Sequence, residues 1–250
     1  MILTSLALPA DATAAGCELW RVDLDQHVPA AARARLSVDE MARARRFVYA
    51  HDQHRYIAAH AAVRQLLGRH RQTADEQLDF VAGRFGKPAL ATASEEHLHF
   101  NLSHSQSTGL VALSSRHELG VDVELLRPMP DALALAAAYF SPAEQAALAA
   151  CSDAQRDRAF FVCWTRKEAC LKAVGIGLHL ALDGFEVGIE PVAQTVAMTT
   201  PDGVERLHLQ SFEDGDDTIG ALALRLPRRG PPTTNAGACT CAFMPLETTA

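Results

Sequence analysis

Two carboxylates spaced one residue apart stand in the run Gly120-Val121-Asp122-Val123-Glu124. In extended backbone that spacing puts Asp122 and Glu124 on one face and Val121, Val123 and Leu125 on the other. Oxygen donors so arranged suit a hard divalent cation, above all Mg2+, which keeps part of its water and bridges to substrate phosphates. An ordinary half-buried strand with a solvated acidic face accounts for the same residues. A second set lies in residues 160–175, where Trp164, Glu168 and Lys172 recur every four residues and share one stripe of a helix. Glu168 and Lys172 there are either an exposed helix ion pair or the third acid and a phosphate contact of the same site. Lysine usage favours the second account, because the chain has only three lysines, at 87, 167 and 172, and two of them flank Glu168.

A third set sits in Asn101-Leu102-Ser103-His104-Ser105 and in the nearby Lys87-Pro88. Ser103 and His104 offer a hydroxyl and an imidazole at a strand end for a phosphate oxygen, and Lys87 puts an ammonium on a restrained turn. His97, His99 and His104 share no metal-binding cadence with a cysteine pair, so a zinc site is not expected. Nor does the chain hold a Walker loop, a GxGxxG after a strand, or a GxSxG elbow.

The elements that must position these groups read as strands at 2–8, 17–24, 97–103, 108–115 and 120–126. A helical pattern runs from Ser37 to Leu67, with a kink near 50–52 and Gly68 as its C-cap. Ser141, Pro142 and Glu144 form a helix start with a capping-box acid. Residues 154–174 make the strongest helix, ended by Gly175 and Gly177, and three antiparallel strands are expected at 184–189, 205–211 and 218–226. The order divides the chain into two α+β lobes, 1–118 and 119–227, followed by a disordered tail over 228–250.

At 250 residues, 48% hydrophobic and 21% charged, the chain has ample material for a core. Its formal charge of −7 excludes a global basic field and so gives no sign of nucleic-acid binding. Nine arginines against three acids nevertheless concentrate at 30–71, which fits either an anionic ligand or partner or a well-solvated helical surface. The six cysteines are scattered and read as reduced small hydrophobes. No apolar run is long enough to cross a bilayer, and the amino terminus lacks the basic residues of a secretory leader. A cytoplasmic protein with no membrane partner is the expectation.

Together, Gly86-Lys87-Pro88, FNLSHS (100–105), GVDVE (120–124), YFSPAE (139–144) and WTRKEACLKAVG (164–175) resemble the Sfp-type 4′-phosphopantetheinyl transferases. RRFVYAHDQHR (45–55) is similar too, and the resemblance spans about residues 40–178. It implies a monomer of two similar α+β lobes related by pseudo-twofold symmetry, with coenzyme A in the cleft between them. The implied reaction is Mg2+-dependent transfer of 4′-phosphopantetheine from coenzyme A to a serine of an apo acyl or peptidyl carrier protein, releasing adenosine 3′,5′-bisphosphate. Carried onto this sequence, Asp122, Glu124 and Glu168 match the metal-binding acids, and Glu144 an acid that helps deprotonate the attacking serine. Lys172 matches the pyrophosphate contact that aids the leaving group. Ser103 and His104 match the pair at the coenzyme A phosphates, Lys87 and Pro88 the adenine and diphosphate side, and Arg55 an arginine near the 3′-phosphate, with Arg43 supplementing it. Glu40 departs from the pattern, standing where related proteins often have a basic residue. Two other readings use the same acids: a Mg2+-dependent hydrolase of coenzyme A-like pyrophosphates, and a noncatalytic domain that binds carrier proteins or coenzyme A.

Overall fold

Short apolar runs build the strands, several of them buried on both faces, and two segments of 22 residues build the principal helices. The computed structural model describes residues 3–8, 12–13, 15–72, 78–91, 98–177, 180–215 and 217–228. Strands β1 (Leu3–Leu6) and β2 (Cys17–Asp23) come first, then helices α1 (Ala30–Ala34), α2 (Val38–Ala44) and α3 (Ala50–Arg71). A small hairpin, β3 (Phe80–Ala82) and β4 (Pro88–Leu90), leads to β5 (His99–Ser105), β6 (Thr108–Ser114) and β7 (Leu119–Leu125). Helices α4 (Ala132–Tyr139), α5 (Pro142–Ala150) and α6 (Asp153–Val174) precede β8 (Gln194–Thr200), β9 (Gly203–Glu213) and β10 (Thr218–Arg225). The expected tail lies, beyond Arg228, outside the described residues.

Two four-stranded antiparallel sheets result, with strand orders β1-β2-β6-β5 and β7-β10-β9-β8. The repetition is visible in the connectivity. In each lobe a strand is followed by a helix of 22 residues and then by a hairpin whose last strand pairs beside the first: β2-β6-β5 in one lobe, β7-β10-β9 in the other. This is the pseudo-twofold, two-lobe α+β architecture.

Burial follows the pleat. Val22, Val111, Leu113 and Phe100 face α3, whereas Leu19, Leu110 and Ala112 meet Val121, Val123, Leu222 and Leu224 of the second sheet. Ile219, Ala221 and Ala223 pack instead on α6 with Phe161, Cys170 and Leu171. The layers thus run helix, sheet, sheet, helix, and the two sheets come together along one edge, where β5 lies beside β7. Among the described residues Cys17, Cys151, Cys163 and Cys170 are free thiols, and burial pushes Cys163 and Cys170 upward, the latter to about 12.

Three local expectations are corrected. The helical stretch breaks at residues 45–49 rather than 50–52, and α3 runs past the buried Gly68 to Arg71. Its cap is Gln72, which adopts a left-handed conformation with φ 50°, while Arg69, His70 and Arg71 complement the negative helix end. The strand expected at 184–189 is a one-turn 3-10 helix at Leu182–Gly184 followed by irregular chain. Side chains rather than a neighbouring strand take its backbone groups: Lys167 donates to Phe185 O, Arg166 and Gln194 to Val187 O, and Val187 N donates to Glu144. The third strand of that sheet is β8, whose buried Val196, Met198 and Thr200 alternate with exposed residues.

Candidate active site

Strand β7 presents its two faces to different layers. Leu119, Val121 and Val123 are buried between the sheets, while Gly120, Asp122 and Glu124 face α6. Gly120 is required by the closeness of that helix: a Cβ there would stand 2.2 Å from both Ala169 O and Ala173 N. Helix α6 buries Phe161, Val162 and Leu171 and turns Trp164, Glu168 and Lys172 toward the acids of β7, as the four-residue spacing predicts. It ends at Gly175, left-handed with φ 75°.

These groups enclose a cavity of about 450 Å3, lined by Ser103 and His104 from the first lobe and Asp122, Glu124, Trp164, Glu168 and Lys172 from the second. Lys172 Nζ donates to Asp122 Oδ1 at 2.6 Å and lies 2.8 Å from Ser103 Oγ. The Ser103 hydroxyl donates to the same Asp122 oxygen at 2.7 Å. Glu124 Oε2 accepts from Ser105 Oγ at 2.7 Å and from Arg127 at 3.2 Å. Burial raises the Glu168 carboxyl above its ordinary value, and the negative charges of Asp122 and Glu124 add to the rise against the opposing pull of Lys172. Burial lowers His104, with the Lys172 ammonium reinforcing the shift, so its imidazole tends to the neutral form.

A second cavity, of about 500 Å3, shares Leu102 with the first and is lined by Arg43, Tyr56, His60, Phe80 and Pro88. The two cavities thus adjoin at Leu102, and in the second the Arg43 guanidinium stands 5.9 Å from the centre of the Tyr56 ring. Arg55 is held elsewhere by a bidentate pair with Asp25, at 2.6 and 2.9 Å, yet its charge is still felt at His104. Glu40 has a structural use: its carboxylate closes a capping box with Ser37 and binds Arg64 at 2.8 Å.

Besides Arg55, two expected site residues are directed elsewhere. Glu144 does not face the cavity. It is 3% exposed, and its carboxylate accepts from Ser141 N, Val187 N and Gly188 N and pairs with Lys167 at 2.7 Å. Four donors engage it where it caps α5, away from the acceptor side of the cavity. Lys87 directs its ammonium to two backbone carbonyls, Leu119 O at 2.9 Å and Ala173 O at 3.1 Å, and lines a separate cavity of about 280 Å3. Asn101 and Ser105, given no role from sequence, both contact β7; the period-two row of polar side chains at 101, 103 and 105 was the available signal.

Among the described residues, no three of His, Cys, Asp and Glu stand grouped so as to hold a metal ion as they are. Asp122, Glu124 and Glu168 share a cavity without closing into a ready-made ligand set. Their chemistry nonetheless fits a hard cation. Asp122 Oδ2 is buried without a hydrogen-bond partner, and Glu168 feels the repulsion of two neighbouring carboxylates, only partly offset by Lys172.

Acids and a lysine on one lobe, with a serine–histidine pair from the other, define a site suited to a diphosphate ester. Two family models match the chain in succession: "4'-phosphopantetheinyl transferase, N-terminal" over residues 20–117 and "4'-phosphopantetheinyl transferase superfamily" over residues 118–223. The chain is 37% identical over 209 residues to the 4′-phosphopantetheinyl transferase HetI of Nostoc sp., covering 82% of this chain and 86% of that protein. It is 36% identical to a putative 4′-phosphopantetheinyl transferase of Synechocystis sp. over 66% of this chain and 68% of the relative. The 4′-phosphopantetheinyl transferase Sfp of Bacillus subtilis is 29% identical over 71% of this chain and 77% of its own length. The chain belongs to the 4′-phosphopantetheinyl transferase family. No helix among the described residues is long and apolar enough to cross a membrane.

Proposed function

We propose that this protein transfers the 4′-phosphopantetheine group from coenzyme A to a serine hydroxyl of an apo acyl or peptidyl carrier protein, with Mg2+ as cofactor and adenosine 3′,5′-bisphosphate as the leaving product. Family membership supports phosphopantetheinyl transfer as the class of reaction. The observation that carries the finer reading is the meeting of Asp122, Glu124, Glu168 and Lys172 with Ser103 and His104 on one cavity at the junction of the lobes. In this reading the lobes comprise residues 1–118 and 119–227, and coenzyme A lies across the two adjoining cavities, its diphosphate at Lys172, Ser103 and His104. Its nucleotide end lies at Pro88 and Arg43, with Arg55 contributing field rather than contact.

Asp122 and Glu124 would hold Mg2+, with Glu168 beside them, and the bound ion would screen the diphosphate and orient its oxygens. The serine oxygen forms a bond to the β-phosphorus as the bond from that phosphorus to the bridging oxygen breaks. Negative charge then grows on the 5′-phosphate of the nucleotide. Lys172 places its ammonium where that charge develops, in a half-buried setting that strengthens the attraction. Ser103 and Asp122 fix the ammonium in position. Glu168, which lines the cavity beside these acids, accepts the serine proton. Glu144, already saturated, takes no part in the proton transfer.

Incubation of the purified protein with coenzyme A, Mg2+ and an apo-carrier protein, followed by intact-mass measurement, tests the reading. The expected result is a carrier heavier by one phosphopantetheine, with matching release of adenosine 3′,5′-bisphosphate. Cleavage of coenzyme A without modification of the carrier would show a hydrolase instead, and binding without either product a passive module.

A further inference from the structure

β5 and β7 are edge strands of different sheets, yet side chains tie them together at three successive points. Asn101 Oδ1 accepts the Val121 N–H at 2.9 Å, supplying the bond that a paired strand would otherwise give. Ser103 Oγ donates to Asp122 Oδ1 at 2.7 Å. Ser105 Oγ donates to Glu124 Oε2 at 2.7 Å and accepts the Leu125 N–H at 3.4 Å. The period of two puts all three on one face of β5, so a single row of polar side chains in the first lobe reads out the acidic strand of the second.

We infer that Ser105 is a positioning residue for Glu124, with the Asn101–Val121 bond helping to hold β7 alongside β5 where that contact is made. Two groups compete for Glu124 Oε2. Arg127 approaches at 3.2 Å from an exposed position, where solvent screens the pair. Ser105 is buried, 9% exposed, and its hydroxyl is also fixed by the Leu125 amide. The serine therefore sets the carboxylate rotamer: it holds one oxygen and leaves the other as a donor. Groups that hydrogen-bond a metal-binding carboxylate typically change metal affinity by about 10–100-fold when removed. The inference rests on the proposed function for the role of the cation.

The test is calorimetric titration of Mg2+ into the full-length protein saturated with coenzyme A and without carrier, so that no turnover is needed. Ser105→Ala is expected to bind Mg2+ about tenfold more weakly than the wild type, with coenzyme A affinity changed less than about twofold. Ser105→Thr, which keeps the hydroxyl, is expected to restore Mg2+ affinity to within about twofold, and it serves as the readout should the alanine variant fail to fold. Arg127→Ala is expected to bind Mg2+ as the wild type does. Wild-type affinity in Ser105→Ala, or a larger loss in Arg127→Ala than in Ser105→Ala, overturns the assignment. Wild-type protein that neither binds Mg2+ nor modifies a carrier would overturn the proposed function and the positioning role with it.

Discussion

Glu144 is a buried and Glu168 a half-buried carboxylate on neighbouring helices of the second lobe, and their surroundings push them in opposite directions. Burial alone would raise Glu144, but the Lys167 ammonium and the Val187 and Ser141 amides outweigh it and hold the carboxyl below its ordinary value. Glu168 has no such set of donors; burial and two nearby acids raise it. A raised carboxyl binds its proton more tightly folded than unfolded, so its contribution to stability is present below the unfolded value and lost as pH climbs through the folded one. At pH 7 an ionised Glu168 therefore works against folding. Glu168→Gln is expected to lower transfer by about 100-fold or more. In EDTA at pH 7 it is expected to raise Tm by about 2–4 °C, the shift ~1 kcal/mol produces in a chain of this size, with the gain vanishing near pH 4. A lower Tm than wild type at pH 7 would contradict the assigned electrostatics. Glu144→Gln should do the reverse. It strands the fully buried Lys167 without its counter-ion, at a cost of about 3–5 kcal/mol in denaturant unfolding. The remaining folded enzyme, assayed at low temperature, should keep kcat within about twofold; a kcat loss exceeding the loss of folded protein would return Glu144 to the reaction.

At the scale of elements, the site depends on how closely α6 lies on β7. Gly120→Ala would drive a Cβ into the backbone at Ala169 and Ala173, which cannot yield as a side-chain tip does. The expected cost is about 3 kcal/mol, the upper part of the usual overpacking range. Transfer activity should fall by more than the unfolded fraction explains, because moving α6 carries Glu168 and Lys172 with it. A variant equal to wild type in both unfolding and rate would show that the helix has room. The same two elements explain what was legible in the sequence. Alternation at 119–125 and the four-residue stripe on α6 are local patterns, and each face was readable without knowing its neighbour. The capping box at Ser141 and Glu144 was equally local and is present. What the cap carboxylate also does was not readable, since its partners Lys167 and Val187 are 23 and 43 residues away in sequence. Residues 184–189 misled for the same reason: Phe185 and Val187 have strand-like side chains, but distant polar side chains had already claimed their backbone. The partners of Lys87 were not readable either, because nothing local shows the carbonyls waiting across the lobe junction.

Those carbonyls make Lys87 a feature of the whole molecule. Its stem leaves the hairpin of the first lobe at β4, and its ammonium joins the start of β7 to the last turn of α6. One side chain thus holds the ends of the two elements that carry Asp122 and Lys172. Gly175 leaves space for it, since a Cβ there would stand 3.1 Å from Lys87 Cδ. Burial pushes the amine down to about 8, with Glu118 opposing and Arg225 assisting the shift. A depressed lysine means that the unfolded chain binds the extra proton between pH 8 and about 10.5, so stability from this group rises with pH across that window. Lys87→Met removes the titration and both bonds to the carbonyls. The unfolding free energy of the wild type minus that of Lys87→Met should therefore increase from pH 8 to pH 10, by on the order of 1 kcal/mol after allowance for partial solvent access. The other titrating groups are common to both proteins and cancel in the difference. Loosening the end of α6 should also slow transfer about tenfold at pH 7.5, where the wild-type amine is still mostly charged, because misplacing Lys172 by a fraction of an ångström spoils its approach to the leaving phosphate. Parallel pH profiles for the two proteins, or an unchanged rate, would show that the lobes hold their alignment without this lysine.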